Sequence, residues 1–185
     1  MDTAKIELDR GFIVVDPETG QTAEPGVFAV GDIVAGTPQL AHAGFAEGIS
    51  VISFIGTGEA HPVNYRTVPL VVYTHPELAS VGLTEAEALD LGYEVDTTAK
   101  TMAGVGRAII RGEAQGIVKL VVEKDGPILG ASVVGPDAGE LIHELMLAVG
   151  WEALPAEAAA FVHAHPTLSE AVGEALMAAS GRPLH

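Results

Sequence analysis

The chain has 185 residues, 48% of them hydrophobic and 5% aromatic, with 9 basic against 25 acidic side chains and a net charge of −16. A surface of that sign repels phosphate backbones and anionic lipid, so it argues against nucleic acid or a membrane surface as partner, while the apolar content is that of a folded chain. With no cysteine, disulfide staples, thiolate metal sites and any thiol chemistry carried by this chain alone are excluded.

No apolar stretch approaches the roughly 18 uncharged residues of a membrane span. Met1-Asp2-Thr3-Ala4-Lys5-Ile6-Glu7 lacks the basic start and apolar run of a signal peptide. A cytoplasmic protein is expected, with one domain or one domain plus part of another.

In chain order, Gly11-Phe12-Ile13-Val14-Val15 reads as a short strand, followed by the turn formers Asp16-Pro17-Glu18-Thr19-Gly20. Val27-Phe28-Ala29-Val30 reads as a second, buried-type strand stopped by Gly31-Asp32. Thr37 as N-cap with Pro38 at the first helical position opens a helix from about Leu40 to Ile55, ending at Gly56-Thr57-Gly58. Strand, glycine–acid turn and capped helix form an α/β unit, a kind that normally sits beside further strands. His61-Pro62 reads as a linker and divides residues 1–62 from residues 63–185.

Beyond it, residues 68–73 read as a strand closed by Thr74-His75-Pro76-Glu77. Thr84-Glu85-Ala86-Glu87 is a capping box for a helix stopped at Gly92. Residues 93–101, 116–123 and 128–134 read as three further strands, the last two joined by a turn at Asp125-Gly126-Pro127. Gly104-Val105-Gly106 lacks the third glycine of a dinucleotide fingerprint and reads as loop. Asp137, with Glu140 three residues on, caps a helix with Leu141, Ile142, Leu145, Ala148 and Val149 on its apolar face and Gly150 at its end. A last helix carries Leu168, Ala171, Val172, Ala175, Leu176 and Ala179 at helical spacing. Strands in the middle and helices at the end predict an α+β domain with an antiparallel sheet and flanking helices.

The segment His163-Ala164-His165-Pro166-Thr167-Leu168-Ser169-Glu170 carries the chemistry. A residue before proline is pushed out of helical geometry, so His165 lies on an extended or turn segment, with Glu170 in reach of its ring. An imidazole held by a carboxylate moves protons near neutral pH. The plainer reading is that Glu170 closes a capping box with Thr167. His163 and His165 alternate, and on a strand they would share a face where His143 or Glu144 could join a metal site. No third or fourth ligand stands at recognisable spacing and Pro166 interrupts a strand, so no metal is expected. Gly31-Asp32 ahead of a helix could hold a ribose-like hydroxyl and an anionic group, or be a simple turn.

In their order along the chain, several segments resemble the FAD-dependent pyridine nucleotide–disulfide oxidoreductases. They are Val27 to Asp32, Leu40-Ala41-His42-Ala43 with Glu47-Gly48, Val68 to Glu77, Ala79 to Glu85, Gly130-Ala131 ahead of Glu140-Leu141-Ile142, and His163 to Glu170. The Ala-His after the Gly-Asp turn and the closing His-Ala-His-Pro-Thr favour the branch that oxidises dihydrolipoamide. The resemblance implies the C-terminal part of a family chain: the tail of an α/β FAD-binding domain, then an interface (dimerisation) domain. The glycine fingerprint for FAD, the redox cysteine pair and the NAD domain are not among these residues.

By that resemblance, Asp32 with Gly31 would lie at the ribitol of FAD, and the backbone of Leu40, Ala41 and His42 near the flavin's pyrimidine end. His165 would be the acid–base catalyst, oriented by Glu170 and reaching into the partner subunit's site of a homodimer. The substrates would be dihydrolipoyl groups, and an acyltransferase of a 2-oxo acid dehydrogenase complex is a candidate partner for the acidic surface. FAD and NAD serve the whole enzyme; these residues alone are expected neither to hold flavin stably nor to turn over. The alternatives are a non-catalytic dimerisation or partner-binding module, a mercuric or glutathione-type reductase, and a small metalloenzyme built on His163 and His165.

Overall fold

The structure, a computed structural model, describes residues 4–184. Contacts within the chain divide it after Tyr65 into two compact units. Among the described residues no helix is long and apolar enough to cross a membrane.

In the first unit, β1 (Leu8–Asp9) and β2 (Phe12–Ile13) form an antiparallel hairpin with Leu8 opposite Ile13. Its two-residue turn is made by Arg10 and Gly11, both at positive φ, which matches the twist of the flanking strands. The Asp16 carboxylate accepts the amides of Glu18 and Thr19 at 2.8 and 3.0 Å, closing the following turn. Helix α1 (Ala41–Thr57) ends on Gly58 in the left-handed conformation, whose amide reaches the Phe54 carbonyl.

Two expectations for this unit are corrected. Residues 27–30 are not a strand: Phe28 makes one isolated bridge to Gln21, and Val27 and Val30 stay exposed. A buried parallel strand needs neighbours on both sides, and among the described residues this segment has only the antiparallel contact with residues 20–22. Thr37 does not cap α1. The Leu40 amide turns back onto the Pro38 carbonyl at 2.9 Å, so the chain tightens once before the helix and Leu40 takes the N-cap position without a side-chain cap.

The second unit is a five-stranded antiparallel sheet in the order β3-β4-β7-β6-β5. The strands are β3 (Leu70–Val72), β4 (Glu77–Gly82), β5 (Val95–Thr101), β6 (Ile117–Glu123) and β7 (Ile128–Gly135). On one face α4 (Ala138–Gly150) lies against β4 and β7, and α6 (Glu170–Ala179) against β5 and β6. Val118, Leu120, Val133, Ile142, Leu145, Val172 and Leu176 are fully buried between them. On the other face α2 (Glu85–Asp90) sets Ala88 against Val121 and Leu129, the period-2 alternation of a strand covered on both sides. α2 carries the expected capping box, with Thr84 and Glu87 each accepting the other's amide.

Gly82 stands opposite Gly130 across β4 and β7. A Cβ on Gly82 would lie 2.3 Å from the Leu129 carbonyl oxygen, and one on Gly130 would lie 2.0 Å from that of Leu83. The strands close there because neither residue has a side chain.

Other expectations also shift. β4 is a central strand where the sequence read only the closing turn of the strand before it. Gly104-Val105-Gly106 is not loop throughout: a single 3-10 turn (Met102–Gly104) leads into α3 (Gly106–Arg111), held by burial of Met102, Val105 and Ala108. A short α5 (Pro155–Ala158) precedes the histidine segment. Asp137 does not cap α4, because it sits at positive φ and its carboxylate pairs with Arg111 at 2.5 Å. The cap comes from β4 instead, where Glu77 Oε2 accepts the Gly139 amide at 3.0 Å.

Candidate active site

Between α5 and α6 the chain has no regular structure, and the His165–Pro166 peptide is cis. His165 Nδ1 lies 2.9 Å from Glu170 Oε1. The ring is 75% exposed and the carboxylate 26%. Glu170 Oε2 accepts the Thr167 amide at 2.9 Å, so one carboxylate both steadies the helix start and holds the ring. Those two donors, the Thr167 amide first and the His165 ring second, hold the Glu170 carboxyl below the usual glutamate range. An ionised carboxylate only accepts. The ring proton therefore sits on Nδ1, and Nε2 of the neutral imidazole is left with a lone pair.

His165 and Glu170 line an open cleft of about 520 Å³ together with Thr101, Val105, Gly106 and Glu174. Gly106 lies beside the ring: a Cβ there would stand 3.7 Å from His165 Cε1, in ordinary van der Waals contact.

His163 goes elsewhere. Its Nε2 is 2.8 Å from Glu144 Oε1 and the side chain is only 14% exposed. The two histidines thus bond different carboxylates, because the segment is not the strand that alternation would require. His143 has its own contact, Nδ1 at 3.4 Å from the Glu140 carbonyl oxygen. Among the described residues no three His, Asp or Glu side chains converge as metal ligands.

In the first unit, Gly31 at φ 78° opens a single 3-10 turn (Gly31–Ile33). Its amide donates to Glu47 Oε2 at 2.5 Å, and Tyr65 Oη donates to Glu47 Oε1 at 2.9 Å. Burial, then Glu47 itself, pushes the Tyr65 hydroxyl well above its ordinary value, so it stays a donor. Glu47 is 7% exposed. Its place in the sequence alone gives it no role. Its signal is spacing: a carboxylate between Ala43 and Val51 at four-residue intervals on the buried face of α1.

A Cβ on Gly44 would lie 3.2 Å from Gly31 Cα, so the glycine turn rests on the first turns of α1. This brings Gly31 and Asp32 to the helix start formed by Leu40, Ala41 and His42. Asp32 is exposed, and its backbone carbonyl accepts Gln39 Nε2 at 3.3 Å. An exposed carboxylate can take a polyol hydroxyl. A helix start with no side-chain cap favours an acceptor or negative group. An exposed carboxylate and an uncapped helix start thus stand side by side.

Residues 68–176 match the family described as "Pyridine nucleotide-disulphide oxidoreductase, dimerisation domain", and residues 1–48 match "Pyridine nucleotide-disulphide oxidoreductase". The chain belongs to the pyridine nucleotide–disulphide oxidoreductase family, and oligomers form in that family through the domain that makes up its larger part. Within the family it is similar to dihydrolipoyl dehydrogenases. That of Bacillus subtilis is 39% identical over 186 residues, covering 100% of this chain and 39% of its own length. That of Zymomonas mobilis is 42% identical over 187 residues, covering 100% of this chain and 40% of its own. Among solved structures, LpdA from Mycobacterium tuberculosis superposes with a TM-score of 0.84 at 30% identity, over 94% of this chain and 38% of that one. The chain spans about two fifths of the length of these curated relatives.

Proposed function

We propose that this chain is the tail of the FAD-binding domain, residues 1–62, and the interface domain, residues 63–185, of a homodimeric dihydrolipoamide dehydrogenase. The observation that carries the reading is the His165–Glu170 pair: an exposed ring fixed through Nδ1 at 2.9 Å with Nε2 free to take a proton. In this reading His165 removes the proton of a dihydrolipoyl thiol and later returns one, and Glu170 sets the tautomer and steadies the imidazolium. The thiolate so formed attacks the redox disulfide, which this chain does not carry.

Gly31, Asp32 and the backbone at Leu40, Ala41 and His42 hold FAD from one side. The chemistry FAD supplies when bound is two-electron exchange between the dithiol and NAD. The ring of His165 reaches the site of the partner subunit, so dimerisation is part of catalysis. The substrate is the dihydrolipoyl group of a 2-oxo acid dehydrogenase complex, whose acyltransferase meets the acidic surface through a basic segment. The place of action is the cytoplasm.

The test is dihydrolipoamide-dependent reduction of NAD by the flavin-loaded enzyme that contains this chain. His165→Ala is expected to lower turnover about 10²–10⁴-fold, the worth of a positioned acid–base group. A near-normal rate removes His165 from the mechanism. The chain purified by itself is expected to show no flavin absorbance and no turnover.

A further inference from the structure

We infer that His163, through its hydrogen bond to Glu144, is a positioning residue for His165, anchoring to α4 the segment from which the exposed ring is presented. The inference rests on the acid–base role proposed above and adds a residue to it.

The segment around His163 otherwise faces outward. Phe161 is 77% exposed and Val162 97%, and the His165 side chain is 75% exposed. On the N-terminal side of His165 it is His163 that is turned in, with Nε2 bonded to Glu144 in the middle of α4, while on the C-terminal side Leu168 is buried in the core. The other edge of the His163 ring lies on Gly173 of α6, where a Cβ would stand 2.6 Å from Nδ1 and 2.9 Å from Cε1. A glycine inside a helix costs roughly 1 kcal/mol against alanine, and this ring is what occupies the space. The imidazole is thus gripped between α4 and the helix whose first residue is Glu170. Thr167 Oγ1 donates to the Ala164 carbonyl at 2.7 Å, which closes the short span that carries His165. His163 also contributes to lowering the Glu170 carboxyl, after Thr167 and His165.

One anchored ring two residues from a presented one leaves little freedom between them. That matters for proton transfer, where a displacement of about 1 Å can cost on the order of 10²-fold in rate.

The experiment compares His163→Leu, His163→Gln and Gly173→Ala with the unaltered chain by ¹⁵N NMR of the His165 ring and by amide hydrogen exchange. Gln places an amide nitrogen where Nε2 stands and keeps the bond to Glu144, Leu removes it, and Ala at position 173 pushes the ring off α6. In His163→Leu and Gly173→Ala, His165 is expected to pass from one tautomer, Nδ1–H, to a mixture. Exchange at the Thr167 amide, which is bonded to Glu170 Oε2, is expected to rise roughly tenfold or more, with β6 and β7 unchanged. His163→Gln is expected to retain the single tautomer. The same ring signals and exchange rates in folded His163→Leu as in the unaltered chain overturn the inference. Should that variant not fold, Glu144→Ala breaks the bond from its half-exposed side and is read in the same way. Ring and amide signals do not depend on turnover, so the inference can fail while the acid–base role of His165 stands.

Discussion

Glu170 divides its two oxygens between the ring of His165 and the amide of Thr167, and both partners favour the ionised form. A carboxyl whose folded-state pKa is depressed contributes stability that is complete above the unfolded value, about 4.3 for glutamate. The contribution is lost as pH falls through the lower folded-state value. Glu87, held down by the Thr84 amide and then its hydroxyl, and Asp16, held down by the amides of Thr19 and Glu18, act in the same direction. The urea midpoint is therefore expected to be flat from about pH 7 to pH 5 and to fall below about pH 4. Glu170→Gln should start about 1 kcal/mol lower and show a smaller acid drop; an equal drop in both proteins would remove Glu170 as a source. The spacing from His165 to Glu170 was readable in the sequence because it is local. The partners of Glu47 were not, since Gly31 and Tyr65 lie 16 and 18 residues away, although its place on the buried face of α1 shows in the spacing.

At the scale of elements, the start of α4 shows why a motif read from spacing can name the wrong residue. Asp137 stands where an N-cap belongs, yet its carboxylate is engaged by Arg111, and Glu77 reaches across from β4 to take the Gly139 amide. Glu77→Ala is expected to cost about 1–2 kcal/mol, the worth of a lost cap. Asp137→Ala should cost under about 1 kcal/mol, the worth of a half-exposed ion pair. Thermal melts of the two variants decide this, and a larger loss for Asp137 would return the cap to it. Long segments with a continuous apolar face, such as α4 and α6, could be read from sequence, as could β5 to β7 with their runs of β-branched residues. β4 could not, because Glu77-Leu78-Ala79-Ser80-Val81-Gly82 is short and small-sided. It becomes a central strand only through β7, which supplies the pairing from about 50 residues away. α3 and α5 are too short to show a period, and tertiary burial decides them.

For the whole molecule, the two units differ in how much each encloses. In the first, Val34, Ala43 and Val51 are the only buried apolar side chains among the described residues. Along α1, Phe45, Ile49, Ile52 and Ile55 are 57–74% exposed and fall at helical spacing on one stripe. The second unit encloses an extended core from Ala79 to Leu176. Stability follows enclosed apolar surface at roughly 25 cal/mol per Å², and regions with few buried contacts open at low free energy. Unfolding of this chain is therefore expected in two steps. α1 loses protection in hydrogen exchange at low denaturant, while amides of β6 and β7 hold until the global transition. In the enzyme proposed above, the apolar stripe of α1 would meet the remainder of its domain, and α1 should then exchange with the rest of that domain instead of ahead of the sheet. If α1 and β6 in the isolated chain lost protection at one common denaturant concentration, the chain would unfold as one cooperative unit, and the two-step expectation, with the argument from low enclosure in the first unit, would fail.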